Sequence, residues 1–151
     1  MSLRFSYVPV RVAHPVVSLG GRWVRPRPLI NVTLIGPAKS WTAQAILDPA
    51  ADDTVFPESA AALTGIDLSG SPTGTAAGVD MANVPVRFAD VLLRTTDGRE
   101  RREWPATVGF TPALLRYPLL GFAGFLQFFE VRFLGDREEV ELTINSLYPG
   151  T

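Results

Sequence analysis

Three carboxylates lie close together in the stretch AILDPAADDTVFP, which covers residues 45–57. A short apolar run leads into Asp48, and Asp52 and Asp53 follow within the next five positions. A positioned carboxylate can accept a proton from a water molecule or donate one to a reacting group. The chemistry that this stretch offers is therefore acid–base catalysis through water.

The composition removes most other chemistries. His14 is the only histidine and there is no cysteine, so thiol chemistry is excluded. A zinc site would need almost only carboxylate ligands, which is uncommon, and no metal is expected. A Ser-His-Asp triad would depend on His14, and no GxSxG motif is present. Neither standard glycine-rich phosphate loop occurs, so no nucleotide cofactor is expected.

The charge balance bears on partners. A net charge of −1 argues against nucleic acid or an anionic membrane, because each needs a concentrated basic surface. The basic cluster that stands out, Arg99, Arg101 and Arg102, alternates with Glu100 and Glu103. This alternation is typical of a solvated hairpin face.

Neither the N-terminal stretch nor the most apolar run predicts a membrane segment. Arg4, Arg11 and two prolines interrupt the first 17 residues, where a signal peptide needs an unbroken apolar segment. The run YPLLGFAGFLQFF is shorter than the roughly 20 residues that cross a bilayer. We therefore expect a soluble, cytoplasmic protein.

Three hairpins are predicted from short apolar runs. The first joins residues 29–36 to residues 42–48 through the loop PAKS. The second turns at Asp97-Gly98, a pair that favours a type I′ turn because both positions take positive φ. The third joins residues 129–133 to residues 140–144, which alternate apolar and polar side chains around the loop GDRE.

Helices are predicted to be short and few. The run PESAAALTGI begins with Pro57 and ends near Gly65. The run GFAGFLQFF predicts about two helical turns, and its phenylalanines are equally well explained by core packing. With 13 prolines and 13 glycines for tight turns, the chain predicts one domain over residues 1–151. Its expected fold is all-β, a small closed β-barrel with one or two short helices.

The opening stretch resembles the active-site loop of the retropepsin-like aspartic protease family, whose pattern is two hydrophobic residues and then Asp-Thr-Gly-Ala-Asp. Here the loop reads ILDPAADDTVF. It matches the family at Asp48, Ala51, Asp52, Asp53, Thr54 and Val55. The family continues with a flap hairpin, whose tip is expected at GTAAG, residues 74–78. An apolar pair and a glycine follow, here Leu119, Leu120 and Gly121, so the resemblance covers roughly residues 29 to 146.

The resemblance implies an acid-protease-like barrel that forms one lobe of a homodimer. The catalytic Asp48 of each chain would meet its copy on the dimer axis, where the two carboxylates share a proton. One would activate a water and the other would protonate the scissile carbonyl of a peptide or protein substrate, at mildly acidic pH and without a cofactor. The terminal segments FSYVPV and ELTINSLYPGT would interlace between the chains.

The resemblance also assigns substrate contacts. Asp52 and Asp53 would bind the substrate backbone. Gly74, Ala77 and Gly78 would belong to the flap that closes over the peptide.

This chain departs from the family pattern in its active-site loop, Pro49 to Ala51. Pro49 replaces a threonine whose hydroxyl crosses the dimer axis, and proline has neither a hydroxyl nor an N–H. Ala50 replaces a glycine but keeps its backbone donor. Phe122 stands where retroviral members have an arginine that pairs with the carboxylate at position 52.

Several alternatives remain open. Asp48-Pro49 also suits a plain structural turn, and Asp52 and Asp53 also suit a helix-capping or solvent-facing role. GTAAG also suits a flexible loop. The function is then an aspartic endopeptidase or, as an alternative, a catalytically impaired protease-fold protein that acts as a dimeric or peptide-binding module. An all-β binding domain unrelated to proteases is the third possibility.

Overall fold

The computed structural model describes residues 1–78 and 81–151, with the backbone alone given at residues 77, 78, 81 and 82. The described chain is mostly β-strand, with one α-helix, α1 (Glu58–Thr64). The strands are β1 (Leu3–Ser6), β2 (Val8–Val16), β3 (Arg22–Arg27), β4 (Leu29–Ile35), β5 (Ser40–Leu47), β6 (Val55–Pro57), β7 (Thr73–Gly78), β8 (Met81–Thr96), β9 (Arg101–Thr111), β10 (Leu119–Leu120), β11 (Phe129–Leu134) and β12 (Glu139–Ile144).

Most strands belong to one sheet that closes on itself. Its order is β4-β5-β10-β6-β9-β8-β7, and β4 also pairs with β8. Six strands, β4, β5, β10, β6, β9 and β8, therefore form a small barrel. Strand β7 pairs with β8 and extends the sheet beyond the barrel. The predicted all-β fold with a small closed barrel is confirmed.

Two of the three predicted hairpins form as expected. Strands β4 and β5 pair antiparallel from Leu29 opposite Ile46 to Ile35 opposite Ser40. Strands β11 and β12 pair antiparallel around their own loop. In β4 the alternating residues Ile30, Val32 and Leu34 are buried. In the β11–β12 pair Val140 and Leu142 are buried, whereas Phe133 and Ile144 are exposed.

The remaining predicted hairpin, β8–β9 with its turn at Asp97-Gly98, forms with a different turn type. Gly98 has a φ of +90°, but Asp97 is not among the described non-glycine residues with positive φ, so the type I′ prediction was wrong. The Asp97 carboxylate instead accepts hydrogen bonds from the backbone N–H groups of Arg99 and Glu100, at 2.9 and 2.8 Å. A side chain thus stabilises the turn that the backbone alone was expected to form.

Helix α1 confirms one prediction, and the run after Gly121 overturns another. Helix α1 begins after Pro57 and ends at Gly65, which has a φ of +78°. The run GFAGFLQFF contains only a single 3-10 turn, Leu126–Phe128, and not two helical turns. The run is interrupted at Gly124, whose φ is +89°, and at Phe125, whose φ of −136° and ψ of −75° are not helical.

An aromatic cluster fixes that run against the barrel. The fully buried Trp104 packs edge-on against Phe125 and Phe129, with ring centroids 5.4 and 5.2 Å apart. Its indole N–H donates to the carbonyl oxygen of Gly124 at 3.0 Å. Aromatic pairs at such angles stabilise a core beyond their buried area, so the turn at residues 121–124 is held firmly.

The terminal segments lie in two small sheets outside the barrel. Strand β1 pairs antiparallel with β12 of the same chain, with Leu3 opposite Leu142. The segments expected to interlace between chains therefore pair within one chain over this stretch. Strands β2 and β3 form a separate two-stranded ribbon. In the described residues no helix has the length and apolarity needed to span a membrane.

Candidate functional site

Asp48 lies directly after the last residue of β5, at one edge of the barrel. Its backbone N–H donates to the carbonyl oxygen of Leu120 at 3.1 Å, and Ile46 N–H donates to Pro118 at 2.9 Å. These bonds continue the parallel pairing of β5 with β10. The half-buried Asp48 is thus delivered to the surface by a strand that is held by its neighbour.

The residues after Asp48 form a tight loop around its carboxylate. The N–H of Ala50 donates to Asp48 Oδ1 at 3.0 Å, and the N–H of Ala51 donates to the carbonyl oxygen of Asp48 at 3.1 Å. Pro49 and Ala50 are exposed, whereas Ala51 is buried. The loop therefore presents the carboxylate of Asp48 beside two exposed small side chains.

The turn after β10 holds the second half of the loop. Phe122 N–H donates to the carbonyl oxygen of Ala51, and Ala123 N–H donates to that of Asp52, both at 2.9 Å. Thr54 N–H returns a bond to Ala123 at 3.0 Å. These contacts hold the turn after β10 against the loop that carries Asp48.

Gly121 is required by this close approach. A Cβ atom on Gly121 would lie 2.8 Å from the carbonyl oxygen of Ala51 and would also collide with the backbone of Asp53. Because both obstacles are backbone, neither could turn aside. The glycine of the predicted apolar pair plus glycine thus lies against the loop that carries Asp48.

The three carboxylates differ in environment. Asp48 and Asp53 are half-buried, whereas Asp52 is exposed. Burial raises the pKa of Asp53, and the nearby Asp52 carboxylate raises it further. Among the described residues, none of the ion pairs involves these three side chains. Phe122, which follows Gly121, is 60% exposed.

The β7–β8 hairpin packs beside the loop. Ala76 and Val86 of this hairpin form a buried cluster with Val55 of β6, and Leu119 of β10 packs against it. Strands β6 and β10 also flank the loop after Asp48. The hairpin base and Asp48 are therefore attached to the same pair of strands.

The residues predicted for the flap tip lie along a strand of this hairpin. Gly74 is paired with Val86, and Gly78 is paired with Met81. Residues 79 and 80, which separate β7 from β8, lie outside the described residues. Only the backbone is described at Ala77 and Gly78, so their predicted contacts with substrate also lie outside the described structure.

A cleft of about 220 Å³ lies at the hairpin base. It is lined by Gly74, Val86 and Pro112 together with an ion pair, in which Arg87 and Glu58 approach to 3.4 Å. The cleft is large enough for one side chain of a bound peptide. Its lining combines apolar walls with one charge of each sign.

In the described part of the chain, no three His, Asp or Glu side chains lie close enough together to hold a metal ion.

No protein-family model matches the chain, and no curated protein matches it. The site is therefore interpreted from its own geometry.

A second basic cluster lies in β3, in addition to the one at residues 99–102. Arg22, Arg25 and Arg27 occur within the run RWVRPR, with no acidic residue among them. The pattern is visible in the sequence, but three prolines in residues 9–26 obscure the strands that carry it.

Proposed function

We propose that this protein is an aspartic endopeptidase that acts as a homodimer, with Asp48 of each chain in one shared active site. The observation that carries the proposal is the loop at the barrel edge, where Asp48 accepts the N–H of Ala50 at 3.0 Å. A carboxylate at such a site is oriented by backbone and still reaches solvent. It is therefore available to a second copy of itself and to a substrate.

The chemistry follows from placing two such carboxylates together. Two close carboxylates cannot both ionise, so the pair holds one proton. The ionised Asp48 takes a proton from a water whose oxygen bonds to the scissile carbonyl carbon. The protonated Asp48 gives its proton to the carbonyl oxygen. Collapse of the tetrahedral intermediate then breaks the C–N bond: the Asp48 that took the water's proton donates it to the amide nitrogen, and the other Asp48 takes back a proton from a hydroxyl of the intermediate.

The surface around Asp48 supports the dimer part of the proposal. Pro49 and Ala50 are exposed beside it, and Phe122 is 60% exposed next to the buried Ala51. Apolar side chains grouped around a functional carboxylate are favourable to cover with another protein surface. A second copy would cover them and complete the site.

Pro49 favours a second candidate function, that of a peptide-binding module without turnover. Proline offers no hydroxyl and no N–H to the partner loop. Two Asp48 side chains would then rely on fewer contacts for their alignment. A displacement of about 1 Å can cost about a hundredfold in rate.

Mixing subunits tests the shared site. Wild-type protein at fixed concentration is titrated with Asp48→Asn protein while peptide cleavage is followed. A shared site predicts that activity falls as the variant is added, because mixed dimers lack one carboxylate. Asp136→Asn protein is the matched control, since Asp136 is an exposed residue of the β11–β12 loop, and its addition should raise activity as much as added wild-type protein does. Activity indifferent to the Asp48→Asn subunit would rule out a site shared between chains.

A further inference from the structure

The β2–β3 ribbon is the part of the chain whose construction the proposed active site does not explain. It comprises residues 8–27, and in the described structure its two strands pair only with each other. A strand of nine residues such as β2 spans about 30 Å. An isolated two-stranded ribbon is marginally stable in water, which makes it a surface suited to a partner.

The ribbon concentrates positive charge. It contains four arginines and no aspartate or glutamate, whereas all 15 acidic side chains and only 10 basic ones lie elsewhere in the chain. Arg22 pairs with Glu138 at 2.6 Å. Within the described residues Arg11, Arg25 and Arg27 make no ion pair. A near-neutral protein thus carries a separate cationic arm.

One face of the ribbon combines Arg25 and Arg27 with apolar surface, whereas Arg11, opposite Val24, lies on the other face. Val8 is opposite Arg27 and Val10 is opposite Arg25, so each pair shares a face. Trp23, two residues before Arg25 on the same strand, is 54% exposed. Alternating cationic and apolar side chains match an extended chain that alternates acidic and apolar or polar residues.

The ribbon also offers backbone groups. Each of its strands has one edge without a strand partner in the described structure. An extended peptide can add to such an edge through main-chain hydrogen bonds. Pro26 has no N–H and would interrupt a ladder on β3, which leaves Arg22 to Arg25 as the continuous stretch there.

The base of the ribbon adjoins the candidate active site. Strand β3 ends at Arg27, and the carbonyl oxygen of the next residue, Pro28, accepts a hydrogen bond from Leu47 N–H at 3.1 Å. Leu47 directly precedes Asp48. A chain bound along the ribbon would therefore lead toward the loop that carries the carboxylate.

We propose that the β2–β3 ribbon is a docking arm for an extended acidic segment of a protein substrate, bound outside the cleavage site. This inference rests on the proposed protease function in that the bound partner is taken to be a substrate. Binding itself does not require cleavage. Arginines on the ribbon pair with acidic side chains of the segment, and a free edge pairs with its backbone. The arm raises the local concentration of such substrates at the active site.

Binding of labelled peptides tests the arm directly. The full chain carrying Asp48→Asn is titrated against a dye-labelled peptide of alternating Glu and Thr, and fluorescence anisotropy is recorded. A Lys-Thr peptide of equal length is the charge control. An Arg11→Glu, Arg25→Glu variant tests the ribbon, and an Arg99→Glu, Arg101→Glu variant makes the same charge change on exposed residues of another hairpin.

The expected result is binding of the Glu-Thr peptide that weakens at least about tenfold in the ribbon variant and is unchanged in the control variant. The emission of Trp23 should shift on binding, and Trp23→Phe should remove the shift, because Trp104 is fully buried and the partly buried Trp41 packs against the barrel core. Equal binding of the Lys-Thr peptide, or equal loss in both charge variants, would overturn the proposal. Tighter, ribbon-dependent binding of duplex DNA would overturn it in favour of a nucleic-acid arm.

Cleavage measurements separate this proposal from the protease function. If the proposed function fails but the acidic peptide still binds the ribbon, the arm stands and its partner is a ligand instead of a substrate. If cleavage occurs, an acidic extension on the substrate should lower KM in the wild type, and the ribbon variant should lose that benefit. Cleavage of a short neutral peptide should be equal in both proteins.

Discussion

The backbone N–H of Ala50 lies 3.0 Å from Oδ1 of Asp48 and donates a hydrogen bond to it. The donor is two residues beyond the acceptor, so the loop itself orients the carboxylate without help from a distant side chain. A hydrogen bond to a charged group contributes about 1.5–3 kcal/mol. The replacement of glycine by alanine at this position therefore preserves the donor that the loop needs.

Removal of that donor tests its role. Ala50→Pro deletes the N–H, and the proposed protease should lose about tenfold or more in kcat, because Asp48 would no longer be held in one orientation. Ala50→Gly keeps the N–H and is the matched control, which should retain activity. The measurement is steady-state peptide cleavage by variants whose thermal unfolding has been checked. Equal activity in Ala50→Pro and wild type would show that the bond has no catalytic role.

Gly121 should be intolerant of a side chain. Gly121→Ala places a methyl group against the backbone of Ala51 and Asp53, and we expect the free energy of unfolding to fall by about 1–3 kcal/mol. Gly135→Ala is the control, since a Cβ atom there meets nothing within 4 Å. Urea denaturation of both variants measures the difference. A Gly121→Ala protein as stable as Gly135→Ala would contradict the close approach.

Asp53 should destabilise the fold more as the pH rises. Burial and the Asp52 carboxylate raise its pKa in the folded state, so the folded chain holds this proton more tightly than the unfolded chain. The stability from this group is fully present below the unfolded pKa and is lost as the pH rises through the raised folded pKa. Asp53→Asn should therefore gain stability relative to wild type at neutral pH and gain little at pH values below the unfolded pKa.

Urea denaturation at neutral and strongly acidic pH checks this difference. Asp52→Asn should shrink the gain without removing it, because burial is the larger cause of the raised pKa. A gain in Asp53→Asn that is equal at both pH values would contradict the assignment.

Asp97 should behave in the opposite way. Burial alone would raise its pKa, but hydrogen bonds from the backbone N–H groups of Glu100, Arg4 and Arg99 outweigh burial and lower it. Its stabilisation is present above the unfolded pKa and is lost as the pH falls through the lowered folded pKa. Asp97→Ala should cost about 1 kcal/mol at neutral pH, a value kept small by solvent screening, and less in strong acid.

Thermal unfolding across this pH range is the measurement for Asp97. Asp136→Ala, in the exposed β11–β12 loop, is the control and should show little change. A pH-independent cost in Asp97→Ala would mean that the lost bonds do not depend on the charge.

The strands of the β4–β5 hairpin and helix α1 could be predicted because their signals are local. The runs 29–36 and 42–48 alternate or cluster branched apolar residues on both sides of a short polar loop, and they pair in the structure. Helix α1 is bounded by a proline and a glycine, each of which acts on its own backbone. Such features do not depend on distant parts of the chain.

The failures have tertiary causes. The run after Gly121 has helical composition, but Gly124 takes a φ of +89°, and its carbonyl oxygen accepts the indole N–H of the distant Trp104. The turn at Asp97 is set by a carboxylate that also binds Arg4 on another strand. No local pattern contains these partners.

The candidate site also combines features that could be predicted with features that depend on the assembled fold. The position of Asp48 after a strand was predictable from the order of residues, and the donor at Ala50 was implied by the resemblance to the protease loop; the structure has both. The raised pKa of Asp53 was not, because it arises from burial by the assembled barrel. The catalytic role of Asp48 and the homodimer stay predictions.

Peptide cleavage by the purified protein between about pH 4 and pH 7 is the direct test of the proposed aspartic endopeptidase activity. The wild type is compared with Asp48→Asn, and with a Pro49→Thr, Ala50→Gly double variant that restores the threonine and glycine of the resembled loop. We expect the wild type to cleave peptide, most rapidly at mildly acidic pH, and we expect Asp48→Asn to abolish this cleavage. A silent wild type beside an active double variant, or cleavage that survives Asp48→Asn, would contradict it.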